Sequence, residues 1–286
     1  MRACFLATVV VASLCTSLAA TAADPGPAAG RYLDIHGSKI YVETFGSGGV
    51  PVVFLHGGVH NFDNTFSRQR DDFSPSRKVI GIDQRGHGHS ADDARPFSYA
   101  DMAEDTAAVI RQLGLGPVDV VGHSDGGDVG LKLARAHPEL VRRLVVSGAN
   151  LRPDLPADEL KRRAAWSPDE LDVFLRKLEL KMPPSFRTDY AAVSPDGPEH
   201  WRTHLAKSCR LWLMPVVIDA ADLKAIQAPV LVIAGDNDFY SVEQTTELFR
   251  GLSKAQLFIV PGTGHGTFGD RPELVDLAVR EFLDKP

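Results

Sequence analysis

Six short runs of aliphatic and β-branched residues recur along the chain: Val52-Val53-Phe54-Leu55, Val79-Ile80-Gly81-Ile82, 118–121, Leu144-Val145-Val146, 230–233 and 257–260. Continuous apolar runs of this length suit strands buried on both faces. Between them apolar residues return at helical spacing, as Met102, Val109, Ile110 and Leu113 do. That alternation specifies a mostly parallel sheet with helices packed on both faces, the α/β class. Segments 32–35 and 40–45 flank His36-Gly37 and read as an antiparallel hairpin on the sheet edge. The expected sheet is therefore mixed, with roughly eight strands.

The rhythm breaks between 151 and 225. No buried strand is evident there; Pro153, Pro156, Pro183, Pro184, Pro195 and Pro198 punctuate the stretch, and it holds all three tryptophans, Trp166, Trp201 and Trp212. Ser167-Pro168-Asp169-Glu170 has a serine cap, a proline at the first helical position and a glutamate at the third, a strong helix start. The stretch 151–225 is expected to be a helical cap inserted over one edge of the sheet, with 23–150 and 226–286 forming the core. At 286 residues and 44% hydrophobic, the chain can bury one large core.

The N-terminus reads differently. Arg2 precedes an apolar run from Phe5 to Leu18, followed by Ala20-Thr21-Ala22, a small-x-small cleavage pattern. The run falls short of the ~20 residues that span a bilayer, so 1–22 is expected to be a removable signal peptide. No membrane anchor is expected once it is cleaved, and the mature protein is expected to be periplasmic or secreted. Loss of Arg2 takes the net charge from −6 to −7, and of the three cysteines only Cys209 would remain, leaving none to pair with it. The one basic run, Lys161-Arg162-Arg163, suits a solvated helix face, so nucleic acid is not an expected partner.

The chemistry concentrates at the ends of the predicted strands. Strand 118–121 runs into Gly122-His123-Ser124-Asp125-Gly126-Gly127 and then into a helix bearing Val129, Leu133 and Ala136. This strand, G-x-S-x-G, helix sequence is the context of a nucleophile elbow, whose tip residue is held in a strained turn. Ser124 stands at the tip; Asp125 follows it, its N–H directed at a developing oxyanion and its carboxylate turned aside. His56-Gly57-Gly58 follows strand 52–55, where the Gly58 N–H is the expected second donor. An acidic loop, Gly235-Asp236-Asn237-Asp238, follows strand 230–233, and Gly264-His265 follows strand 257–260. The resulting chain order, Ser then Asp then His, is that of a catalytic triad on such a sheet.

Five other histidines invite a metal reading, namely His56, His60, His87, His89 and His123. They occupy glycine-rich loops without a zinc-type carboxylate–histidine pattern, so no metal is expected. His123 is expected to pack beneath the elbow. The tryptophans Trp166, Trp201 and Trp212, with Phe174, Phe186, Met182 and Met214, are the candidates for an apolar substrate pocket.

Together, Phe54-Leu55-His56-Gly57-Gly58, the Ile82 to Ser90 segment with its Asp-Gln-Arg-Gly-His-Gly-His-Ser run, Gly122 to Gly127, Gly235 to Asp238 and Gly264-His265 resemble the α/β-hydrolase fold superfamily. The resemblance runs from about Arg31 to the C-terminus, including Asp270-Arg271-Pro272-Glu273 and a final helix with Leu274, Leu277 and Phe282. It implies that the acid stands last in a G-x-x-D pattern, Asp238 rather than Asp236, and that no cofactor is used. It further implies a serine hydrolase acting on a small-molecule substrate, a carboxylic ester or lactone. Diketone carbon–carbon cleavage, amide or peptide-end cleavage, and a ligand-binding module without catalysis are the alternatives.

Overall fold

The computed structural model describes residues 30–214 and 217–285; segment 1–22, expected to be a signal peptide, lies outside them. Eight strands form one sheet: β1 (Arg31–Ile35), β2 (Ser38–Phe45), β3 (Val52–Leu55), β4 (Val79–Ile82), β5 (Val118–His123), β6 (Val141–Ser147), β7 (Val230–Gly235) and β8 (Ala255–Val260). Their spatial order is β1-β2-β4-β3-β5-β6-β7-β8. β1 pairs antiparallel with β2 and β2 with β4, while every later pairing is parallel. The hairpin and the mixed sheet are thus as the sequence predicts.

Helices α1 (Phe62–Phe73), α2 (Tyr99–Gln112) and α3 (Asp125–Ala136) connect the first six strands. Between β6 and β7 lie α4 (Ala157–Ala164), α5 (Pro168–Glu179), α6 (Pro184–Val193), α7 (Trp201–Trp212) and α8 (Ala220–Ala225). The chain finishes with α9 (Val242–Gly251), α10 (Thr267–Asp270) and α11 (Pro272–Leu283) around β8. Caps set the starts: Asn61 and Asn64 form a capping box on α1, and Ser167 and Glu170 form the expected one on α5.

The sheet divides the apolar core into two layers. One packs Val53, Leu55, Val120, Leu144 and Val232 against α2, α3 and α8; the other packs Phe54, Val121, Val145 and Ile233 against α1 and α11. A third cluster, built from Leu171, Leu175, Tyr190, Trp201, Leu205 and Cys209, belongs to α5, α6 and α7 and takes in one residue of the core loops, Val59. No helix among the described residues is long and apolar enough to cross a membrane.

Four expectations are corrected. The inserted layer is narrower than 151–225, because Leu151, Val217, Ile218 and Leu223 are buried in the main core with α3 and α9. β8 is not buried on both faces: it ends the sheet, where the helical cover thins, and Leu257 is 36% exposed. In α11 the buried stripe is Val275, Val279, Phe282 and Leu283, whereas Leu274 and Leu277 face outward. Ala136, at the last turn of α3, is also exposed; Leu131 and Ala134 join Val129 and Leu133 on the buried face.

Candidate active site

The elbow follows from two close backbone approaches. A Cβ on Gly122 would lie 2.2 Å from the Gly126 carbonyl oxygen, and one on Gly126 would lie 2.0 Å from that of Leu55. Only glycine fits at either position, so the chain can turn from β5 into α3 within the two residues His123 and Ser124. Ser124 sits at the turn with φ 53° and ψ −122°, a conformation unfavourable for any residue with a Cβ. Its N–H donates to the Ser147 carbonyl at 2.7 Å and its own carbonyl accepts from Gly127, so the hydroxyl is carried on a fixed backbone.

His265 and Asp238 arrive from the loops after β8 and β7. His265 Nδ1 lies 2.9 Å from Asp238 Oδ1 and 3.1 Å from Oδ2, and the Asp238 side chain is 1% exposed. The Tyr240 N–H donates to the same Oδ1 at 3.1 Å. With Nδ1 committed to the carboxylate, Nε2 is the nitrogen available for a serine proton. Asp236 does other work: its Oδ1 accepts from the Gly262 and Thr263 amides at 2.7 and 3.2 Å, tying the two loops together. The structure thereby separates the two aspartates, and Asp238 is the one paired with the histidine.

Ser124, His265, Gly58 and Asp125 all line one cavity of about 520 Å³, with Gly57, Val59, His60, His123, Phe239 and Tyr240 from the core and Leu178, Met182, Phe186 and Trp212 from α5 to α7. The helix start at Asp125 leaves first-turn amides without intrahelical partners, beside Ser124. The loop that carries Gly57 and Gly58 is oriented by His56, whose Nε2 accepts the Gln84 N–H at 2.9 Å while Nδ1 donates to the Gly57 carbonyl at 2.8 Å. Asp83 anchors the next loop, accepting the Phe62 and His89 amides at 2.8 and 2.9 Å and His89 Nδ1 at 2.9 Å.

Burial sets the electrostatics. His123 stands beside Ser124 with its ring 4.9 Å from that of His265, lining the cavity rather than packing beneath the elbow. Burial, and then the neighbouring imidazoles of His265 and His60, push its pKa down to about 3, so it is neutral and a poor base. Burial likewise holds His87 down at about 3. Asp125 is raised by burial, against which hydrogen bonds from Trp212 and Tyr99 favour its charged form.

Of the three tryptophans, Trp212 alone lines the cavity. Its Nε1 donates to Asp125 Oδ2 at 2.9 Å and Oδ1 at 3.1 Å, while the Tyr99 hydroxyl donates to Oδ1 at 2.9 Å. Trp201 is 2% exposed inside the inserted helices, its Nε1 bound to Glu179 and its ring 5.5 Å from Tyr190. Trp166 packs outward, 4.9 Å from Phe174 and beneath the Arg163 guanidinium. Both are therefore corrected from pocket residues to packing residues, as is Phe174, while Met182 and Phe186 line the cavity as expected and exposed Met214 does not. Trp212→Phe keeps an aromatic side chain, smaller than the indole, and removes the N–H donor to Asp125, and is expected to lower stability by about 1–3 kcal/mol, in large part through the buried carboxylate it leaves short of a partner. A denaturant titration measures this.

A strained serine, a carboxylate-oriented histidine and a bare helix start in one cavity, at the carboxyl ends of three parallel strands, decide the relationship when joined to the match of residues 52–276 with the model of the alpha/beta hydrolase family. The chain belongs to that family. Among its relatives is the sn-1-specific diacylglycerol lipase ABHD11 of Mus musculus, 29% identical, with 81% of this chain and 80% of the relative covered. Another is the 2-(acetamidomethylene)succinate hydrolase of Mesorhizobium japonicum, 26% identical over 89% of this chain and 95% of that one. The solved esterase of Exiguobacterium antarcticum superposes with a TM-score of 0.70 at 26% identity, covering 90% and 100% of the two chains.

Seen within this family, the sequence reading missed a support of the histidine. Gly148, just past β6, has φ 63°, and a Cβ there would lie 2.7 Å from His265 Cε1. A glycine directly after a buried strand end was the available signal. Phe239, stacked 4.1 Å from His265, was also missed, and only its adjacency to Asp238 pointed to it.

Proposed function

We propose that the protein is a serine hydrolase of neutral, largely apolar carboxylic esters or lactones, with Ser124 as nucleophile, His265 as general base and acid, and Asp238 as its orienting carboxylate. The observation that carries this reading is the Asp238–His265 pair sharing a cavity with the strained Ser124. Ser124 Oγ attacks the carbonyl carbon and passes its proton to His265 Nε2. The imidazolium, steadied by Asp238, returns the proton to the leaving alcohol as the carbon–oxygen bond breaks. Water, deprotonated by the same nitrogen, then releases the acid. The amides of Gly58 and Asp125 hold the oxyanion in both steps; one such donor is typically worth about 2.7–4 kcal/mol in the transition state.

The cavity walls support the substrate class. Leu178, Met182, Phe186, Trp212 and Phe239 are apolar, and among the described lining residues none is lysine or arginine. A substrate bearing carboxylates, as the name of the Mesorhizobium relative implies for that enzyme, needs a cationic partner. A neutral ester, as the name of the mouse lipase implies, does not.

A panel of p-nitrophenyl esters of rising acyl length, assayed beside a fluorophosphonate label, tests the proposal. Turnover with labelling supports it, and the preferred length sizes the cavity. Labelling without turnover of any ester redirects the assignment to diketones or amides, and no labelling overturns the nucleophile. Export is part of the same reading, supported by the apolar run ending at Ala20-Thr21-Ala22. Recovery of the secreted protein with Met1 intact counts against cleavage.

A further inference from the structure

Besides His265 and His123 the cavity is lined by a third histidine, His60, whose protonation is fixed by its neighbours. Asn64 Oδ1 accepts the Asn61 N–H at 2.9 Å in the capping box of α1, which settles which end of the Asn64 amide is oxygen. His60 Nδ1 lies 3.2 Å from that same Oδ1. An amide oxygen carries no proton and only accepts, so Nδ1 carries the proton and, in the neutral ring, Nε2 carries a lone pair. Nε2 has no partner among the described residues, and the ring lines the cavity that contains Ser124.

The ring is also held in place. The edge of Phe186 meets it at a centroid separation of 4.5 Å, and the His60 N–H donates to the Gly57 carbonyl at 3.3 Å. Val59, the residue before it, has φ 57°, a costly conformation for a β-branched side chain. That strain turns the chain so that the Val59 side chain enters the cluster under α5 to α7 while His60 faces the cavity. Burial, with the nearby His56 imidazole, lowers the pKa of His60 below the usual histidine value, which keeps the ring neutral.

We propose that His60 is a specificity-determining residue whose Nε2 accepts a hydrogen bond from a hydroxyl on the bound substrate, so that hydroxylated esters are preferred over their unsubstituted counterparts. The inference rests on the serine-hydrolase reading. An acceptor that faces a cavity walled by Leu178, Met182 and Phe186 loses its water when substrate enters, and a substrate with a donor restores the bond.

Two matched pairs test this: p-nitrophenyl 3-hydroxybutyrate against p-nitrophenyl butyrate, and 2-hydroxyethyl butyrate against propyl butyrate. In the wild type at least one hydroxylated member is expected to show about tenfold higher kcat/KM, the scale of one buried hydrogen bond. In His60→Leu the ratio is expected to fall to near one, and His60→Gln, which keeps an acceptor, is expected to retain part of it. A wild-type ratio near one in both pairs overturns the proposal, as does a preference that survives in His60→Leu. If His60→Leu does not fold, as loss of fluorophosphonate labelling would show, the wild-type ratio and the His60→Gln variant decide. A wild type that neither labels nor hydrolyses the unsubstituted esters overturns the serine reading and this one with it; a labelled, active wild type without preference overturns this one alone.

Discussion

Ser124→Ala is expected to lower kcat by about 10⁴–10⁶-fold and to abolish fluorophosphonate labelling, leaving the fold intact. The size of the loss follows from what remains. Without the hydroxyl no acyl-enzyme forms, and residual turnover depends on His265 activating water toward a carbonyl held by the Gly58 and Asp125 amides. The fold should persist, because the elbow is made by Gly122 and Gly126 and by the Ser124 N–H to Ser147, none of which needs the side-chain oxygen. Alanine keeps the strained φ of 53° no worse than serine does. A kcat loss under about tenfold with a native unfolding curve would remove Ser124 from the nucleophile role.

Asp238→Asn is expected to cost about 10⁴-fold in kcat, with little change in volume. The reason is directional. Oδ1 accepts the Tyr240 N–H at 3.1 Å and lies 2.9 Å from His265 Nδ1, so an asparagine that keeps its oxygen there sets its NH₂ at the Oδ2 position, 3.1 Å from the same nitrogen. That NH₂ can donate to Nδ1, and the tautomer it stabilises carries its proton on Nε2, the nitrogen that has to receive the serine proton. Loss of the carboxylate also leaves the imidazolium formed during attack without its counter-charge. The pH–rate profile separates this from a packing defect: in the Asp238→Asn variant the residual rate should rise with hydroxide concentration, whereas a merely misfolded fraction would scale the wild-type profile down uniformly.

The elements that were legible in the sequence are those specified locally. Strands β3 to β7 announce themselves as short, predominantly apolar runs, and the elbow as glycines at fixed offsets from a serine at a strand end. Ser124, Asp238 and His265 each follow such a strand, so strand ends alone bring them near one another. What was not legible depends on which of two similar faces meets a partner. Trp166, Trp201 and Trp212 are the same residue type in helices of similar pattern, yet one packs outward, one fills the interior of the inserted helices and one meets Asp125. Leu274 and Leu277 form an apolar pair beside the buried stripe Val275, Val279 and Phe282, and only the packing of α11 on the sheet chooses between them. Gly148 escaped because its reason is a side chain more than a hundred positions away, His265.

Among the points at which the inserted helices hold the core are Val59 and the Asp125 carboxylate, beside the His200 and Lys207 contacts to Asp92. Val59 directly follows Gly58, and Asp125 directly follows Ser124. These two grips each lie within one residue of an amide proposed to hold the oxyanion, so that part of the cover and the proposed hole are mechanically linked. In divergence within the family, the helical segment between β6 and β7 is then not a free accessory. A graft from a relative carries the triad loops unchanged, but it transmits catalytic competence only if it brings an indole or equivalent donor for Asp125 and an apolar seat for Val59. Substrate range in this branch should accordingly evolve by changes on the cavity face of α5 to α7 sooner than by wholesale replacement of the segment.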